Sequence, residues 1–127
     1  MRHVLDASAL PAFLPAGGSP VPMSCALLDG AGVSAANWAE IQQKALHRNV
    51  DVEGMLADFA GTGTTIQPFT VEHADVAAWL SFNTRPHGLS LADRACLALA
   101  VANEVPVWTA DRAWGLLSRR VAIRVIR

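Results

Sequence analysis

The sequence predicts an α/β fold: a Rossmann-like three-layer α/β/α arrangement around a central, mainly parallel sheet of about 4–5 strands. Three observations carry it. Short β-like apolar runs alternate with longer helix-like segments, the pattern of a parallel sheet covered on both faces. The 127 residues suit a single domain spanning 1–127. A 52% hydrophobic and 17% charged composition supplies a core and excludes a disordered chain.

Taken in order, Val4-Leu5 reads as a short buried strand ending at Asp6. Ser8 then caps a first helix with Pro11 in its opening turns, where proline is tolerated. Pro15, Gly17-Gly18 and Pro20 break that helix. Met23 to Leu28 is a second short helix, closed by Asp29-Gly30. Gly32-Val33-Ser34 is a brief strand. Ala35 to Arg48 is helical, with Trp38, Ile41, Ala45 and Leu46 apolar. Val52 to Ala60 is another helix, ended by Gly61-Thr62-Gly63. Thr64 to Phe69 is β-rich and interrupted at Pro68. Thr70 to Asn83 is helical, and Arg85 to Gly88 is a loop. Ser90 opens a helix to Glu104, with Leu91, Ala95, Leu99 and Ala102 as buried candidates. Pro106 to Thr109 is a strand, Asp111 begins a last helix through Leu117, and Val121 to Val125 is the last strand.

The net charge of −1, from 10 basic and 11 acidic side chains, excludes a polybasic nucleic-acid binder but not a nuclease with an acidic site. Cys25 and Cys96 form no metal-ligand spacing and no disulfide framework, which suits a reducing compartment. Asp6 follows the start too closely for a signal peptide. The longest charge-free stretch, Ala7 to Leu28, is broken by prolines and cannot span a membrane as one helix. A cytoplasmic protein without membrane attachment is expected.

In open parallel sheets, sites form outside the carboxyl ends of the strands. Asp6 falls at the end of the first strand and Asp111 just past the Val107-Trp108-Thr109 strand. Asp93 lies in the first turn of the helix preceding that strand, and Glu40 inside the helix after the second. Each has an ordinary alternative. Asp6 suits an Asx-turn or a helix cap, Asp111 a helix cap, and Ser90-Leu91-Ala92-Asp93 a capping box; Glu40 suits a surface pair with Lys44. Together they suit hard-cation chemistry. Four converging carboxylates repel one another, and Mg²⁺ or Mn²⁺, which select oxygen ligands, relieve that repulsion.

Four segments resemble the PIN domain, and specifically the VapC-type toxins of type II toxin–antitoxin pairs. They are Val4-Leu5-Asp6-Ala7-Ser8-Ala9-Leu10, Val33-Ser34-Ala35-Ala36-Asn37-Trp38-Ala39-Glu40, Gly88-Leu89-Ser90-Leu91-Ala92-Asp93, and Pro106 to Trp114 with its Thr109-Ala110-Asp111-Arg112. No one segment is specific; their order and spacing carry the likeness along the whole chain. The resemblance implies a Mg²⁺- or Mn²⁺-dependent endoribonuclease using one or two ions. It carries the catalytic and metal-binding roles onto Asp6, Glu40, Asp93 and Asp111, with Asp6 central. Water activated at the metal would hydrolyse the phosphodiester and leave 3′-hydroxyl and 5′-phosphate ends. The implied partners are an RNA substrate, a cognate VapB-type antitoxin and a second copy in a homodimer. DNA would be met only through the antitoxin. Pro11 and Pro15 depart from the leucine-rich first helix usual in the family, which bears on the partner-facing surface and not on the acids.

Ser8, Asn37 and Thr109 are candidates to orient the carboxylates, with local capping as the alternative. Lys44, His47 and Arg48 share a helix face with Glu40, and Lys44 and Arg48 are candidate phosphate contacts. Arg94 and Arg112, each beside a proposed ligand, are two more. Trp38 and Trp108 sit in core-like runs, whereas Trp114 is the tryptophan to test for RNA contact. His3, His47, His73 and His87 lack zinc-like spacing. Setting the four acids aside leaves ten basic against seven acidic side chains, a mildly basic body around an acidic pocket. The rival is a PIN-fold module that binds RNA or protein without catalysis and uses its acids structurally.

Overall fold

The computed structural model describes residues 1–9, 27–84, 88–111, 114 and 123–125. Five strands form one parallel sheet: β1 (His3–Leu5), β2 (Ala31–Ser34), β3 (Thr65–Gln67), β4 (Val107–Thr109) and β5 (Ile123–Val125), in the order β3-β2-β1-β4-β5. The helices are α1 (Ala35–His47), α2 (Met55–Gly61), α3 (Val71–Thr84) and α4 (Leu91–Asn103). This is the expected three-layer α/β class. The strand order reverses direction beside β1, which makes β1 central and the carboxyl ends of β1 and β4 the natural crevice.

Alternation along β1 divides the interior into two cores. Leu5 joins Ala31, Val33, Ile41, Ala45, Met55 and Phe59, with Trp38 and Trp108 packed against them, so α1 and α2 cover that face. Val4 joins Cys96, Leu97, Leu99, Ala100, Val107 and Trp114 on the other face, beneath α4. Asp6 has the parity of Val4, and Thr109 that of Val107. Both therefore fall on the α4 side of the sheet.

Local chemistry sets the element ends. Ser34 caps α1 by accepting from the Ala36 amide. Ser90 and Asp93 form a full capping box on α4. The helix expected from Val52 begins instead at Met55, because Gly54 takes a left-handed φ of 84° and the Asp51 carboxylate draws the Glu53 amide into a turn. β3 stops before Pro68, as expected. The first turn after Asp6 is a 3-10 turn over Ala7–Ala9. The Pro11 helix, most of the Met23–Leu28 helix, residues 85–87 of the predicted loop, the helix from Asp111 beyond Trp114, residues 121–122 and Arg112 lie outside the described residues.

Three side-chain expectations are corrected. Leu91 and Ala102 are exposed rather than buried. On α4 the buried stretch is Ala95 to Ala100 without a break, because this helix packs against α3, α1 and three strands rather than against one surface. Trp114 is 1% exposed, in the second core, so it is a packing residue and not an RNA-stacking one. The most exposed described tryptophan is Trp79 on α3, 72% exposed and beside Phe82.

Candidate active site

Asp6 is held by backbone before its side chain enters the account. Its amide donates to the Trp108 carbonyl across the β1–β4 seam (3.0 Å), and its carbonyl accepts from Ala9 in the 3-10 turn (3.0 Å). The carboxylate therefore emerges at the carboxyl end of the central strand, only 3% exposed.

Two hydroxyls converge on one of its oxygens. Thr109 Oγ1 donates to Asp6 Oδ2 at 2.9 Å, and Ser8 Oγ donates to the same atom. Each hydroxyl is itself held from behind. The Asp111 amide donates to Thr109 Oγ1 (3.0 Å), and the Ala110 amide donates to Ser8 Oγ (3.1 Å). The start of the chain and the exit of β4 are thus laced into one turn. The Ser8 backbone amide adds a further hydrogen bond to the same carboxylate. Burial pushes the Asp6 carboxyl above its ordinary 3.8, the two hydroxyls oppose that, and the negative charge of Asp93 adds to it.

Glu40, half-buried on α1, is also raised. Burial is the largest cause, followed by repulsion from Asp93; Lys44 one turn on lowers it, and Asp6 raises it again. Asp6, Glu40 and Asp93 therefore feel one another. The buried Cys96 thiol behind them is pushed well up by burial and by those same three charges. Asp93 spends Oδ2 on the Ser90 amide (2.9 Å), so the capping role and a place at the site are compatible: the box orients the carboxylate. Asp111 lies at the exposed exit of β4, joined to the site through its amide on Thr109.

The structure thus groups Asp6, Glu40 and Asp93 electrostatically and ties Asp111 to Asp6 through Thr109. Lys44 on α1 and Arg48 at its C-cap are exposed. Arg94 turns away toward α3, where Nη1 donates to the Ala77 carbonyl (2.8 Å). Contacts that sequence reasoning could not find are the Arg94–Ala77 tie and a hydrogen bond from Asn37 Nδ2 to the Ala92 carbonyl (3.1 Å). Both join segments far apart in the chain, and no local pattern announces them.

The donor set is entirely oxygen, which fits Mg²⁺ or Mn²⁺ and not a thiolate–imidazole metal. Among the described residues no three acidic, histidine or cysteine side chains close around one point. Magnesium chemistry asks for less, since that ion is commonly held by one or two carboxylates and keeps several waters. Repelling carboxylates with raised proton affinity are the setting in which a divalent cation is most favourable.

No protein-family model matches the sequence, and no curated protein matches it significantly. Solved structures do. VapBC2 from Rickettsia felis, bound to a fragment of its promoter DNA, matches at 15% identity and TM-score 0.71, over 97% of each chain. Mycobacterium tuberculosis VapC20, a toxin that cleaves the sarcin–ricin loop, matches at 15% identity and TM-score 0.70, over 93% of this chain and 98% of that one. FitAcB from Neisseria gonorrhoeae matches at 23% identity and TM-score 0.63, over 96% of each. The fold of this chain is that of the VapC-type PIN-domain toxins.

Proposed function

We propose that this chain is the toxin of a type II toxin–antitoxin pair and a divalent-metal-dependent endoribonuclease. One observation carries the reading. A buried aspartate stands at the carboxyl end of the central strand, clamped by two hydroxyls and set among mutually repelling carboxylates, in the fold of a known RNA-cleaving toxin.

Asp6, with Glu40, Asp93 and Asp111 around it, would hold one or two Mg²⁺ or Mn²⁺ ions. When bound, the ion lowers the pKa of water and stabilises charge developing on a phosphoryl oxygen. The chain's own residues do the rest. Ser8 and Thr109 fix the Asp6 rotamer and prevent it from turning into the interior. Asp93 is oriented by its cap. Glu40 combines partial exposure with a raised proton affinity, which suits it to take a proton from the attacking water. Lys44 on the same helix and Arg48 at its C-cap, both exposed, would meet the RNA backbone. The antitoxin would cover the acidic site, and DNA would be met through it. A second copy would complete a homodimer, read as mass in solution.

The test is cleavage of a total RNA pool by wild type and by Asp6→Asn, each in Mg²⁺ and in chelator. Cleavage by wild type in Mg²⁺ alone supports the reading. Cleavage that persists in chelator or in Asp6→Asn overturns the mechanism. No cleavage with no uptake of Mn²⁺ favours the non-catalytic module.

A further inference from the structure

Asn37 is a polar residue in a place built for an apolar one. It lies in the first turn of α1 and is fully buried. Its Nδ2 donates to the Ala92 carbonyl on α4 at 3.1 Å and makes a long 3.5 Å contact with Glu40 Oε1. Ala92 is the residue before Asp93. One amide group therefore touches the backbone beside one acid and the side chain of another.

Its other end makes no such bond. Asn37 Oδ1 is buried and unpartnered. The amide orientation is nonetheless determined, because a flip would set Oδ1 against the Ala92 carbonyl and the Glu40 carboxylate, three acceptors facing one another. An unpaired buried carbonyl is unfavourable, and an aliphatic side chain of similar volume would avoid it. The gain from the amide is confined to its donor side, and both donor contacts go to the segments that carry Glu40 and Asp93.

We propose that Asn37 is a positioning residue that fixes the separation of Glu40 and Asp93 and so sets the affinity of the site for a divalent cation. This rests on the reading of the acids as a divalent-ion site. Glu40 is on α1 and Asp93 on α4, and Asn37 is the described side chain that hydrogen-bonds across that seam beside both. Without it the two carboxylates, which repel, are free to separate.

The experiment is Mn²⁺ titration calorimetry on the full chain, stripped of metal, with metal-free melting measured in parallel. Asn37→Leu and Asn37→Thr are expected to bind Mn²⁺ about tenfold or more weakly while still melting cooperatively, the loss typical of an outer-shell partner. Thr64→Val, which removes a buried hydrogen bond to the Leu28 carbonyl beyond the sheet's other end, is expected to lower the melting temperature and leave Mn²⁺ affinity unchanged. Unchanged affinity in the Asn37 variants overturns the proposal and leaves the metal reading standing. Wild type that takes up no Mn²⁺ overturns the metal reading and this proposal with it. Should both variants fail to fold, the side-chain amide resonances of Asn37 in wild type decide: they are expected to shift on Mg²⁺ saturation, and unmoved resonances overturn the proposal.

Discussion

The Asp6 carboxylate is buried, hydrogen-bonded and faced by like charge, so its ionised form is held in the fold against resistance. Its folded-state proton affinity lies above the ordinary value. Between those two values the folded protein binds more protons than the unfolded one, so stability falls as pH rises through that window and is flat above it. Glu40 contributes with the same sign. Asp6→Asn, which keeps an acceptor for Ser8 and Thr109, is therefore expected to melt higher than wild type at neutral pH without metal and to lose that advantage below the window. Melting curves across pH in chelator check it. Added Mg²⁺ should raise the melting temperature of wild type and not of the variant, since only a ligand that binds the folded state stabilises it. Ser8→Ala and Thr109→Val release one hydroxyl each from Oδ2 and are expected to weaken metal binding or cleavage by roughly 10–100-fold. Asp6, Asp93 and Asp111 stood out in the sequence by their places at strand and helix ends, whereas Glu40, inside α1, stood out only in their company. The shared attachment of both hydroxyls to one oxygen was not legible there, since Ser8 and Thr109 lie 101 residues apart.

Among the elements, α4 shows most clearly what a sequence does and does not specify. The Ser90–Asp93 box was readable and is present in full. The buried side of the helix was not, because Ala95 to Ala100 meets neighbours all round and the 3.6-residue rhythm that reveals a one-sided helix is lost. Trp114 was misread for a related reason: an aromatic near a chain segment's end carries no local mark of burial, and only packing against Val4 and Val107 decides it. Ser90→Ala, which removes the hydroxyl that accepts from the Asp93 amide, is expected to cost about 1 kcal/mol of stability by denaturant unfolding, and to leave the Asp93 carboxylate on the backbone amide of residue 90. Arg94 and the α1 basic residues should separate cleanly. Lys44→Ala and Arg48→Ala are expected to weaken RNA binding and flatten its salt dependence by about one unit of log–log slope each. Arg94→Ala, by losing the Ala77 carbonyl, should instead lower stability and leave the salt slope of RNA binding unchanged.

For the whole molecule, a net charge of −1 conceals an uneven distribution. The carboxyl edge of the sheet gathers acids, while Lys44 and His47 lie exposed on the helix beside it and Arg48 at its C-cap. Under the proposed function, a divalent ion would neutralise that edge and let an RNA phosphate approach it. Four exposed apolar side chains lie on α3 and the start of α4: Val71, Trp79, Phe82 and Leu91. No helix of the described residues is long and apolar enough to cross a membrane. The fold class followed from alternation of strand and helix; the strand order did not, because pairing between strands far apart in the chain leaves no local mark. Nor did the character of the exposed surface, because its shape carries no periodic signal. The central claim is that the acidic edge delivers water to an RNA phosphodiester, and the most direct measurement is the end chemistry of RNA cut by the purified chain in Mg²⁺. Hydrolysis by water predicts 5′-phosphate and 3′-hydroxyl ends, absent in chelator and in Asp6→Asn. Ends bearing 5′-hydroxyl and 2′,3′-cyclic phosphate, formed with or without metal, would contradict it.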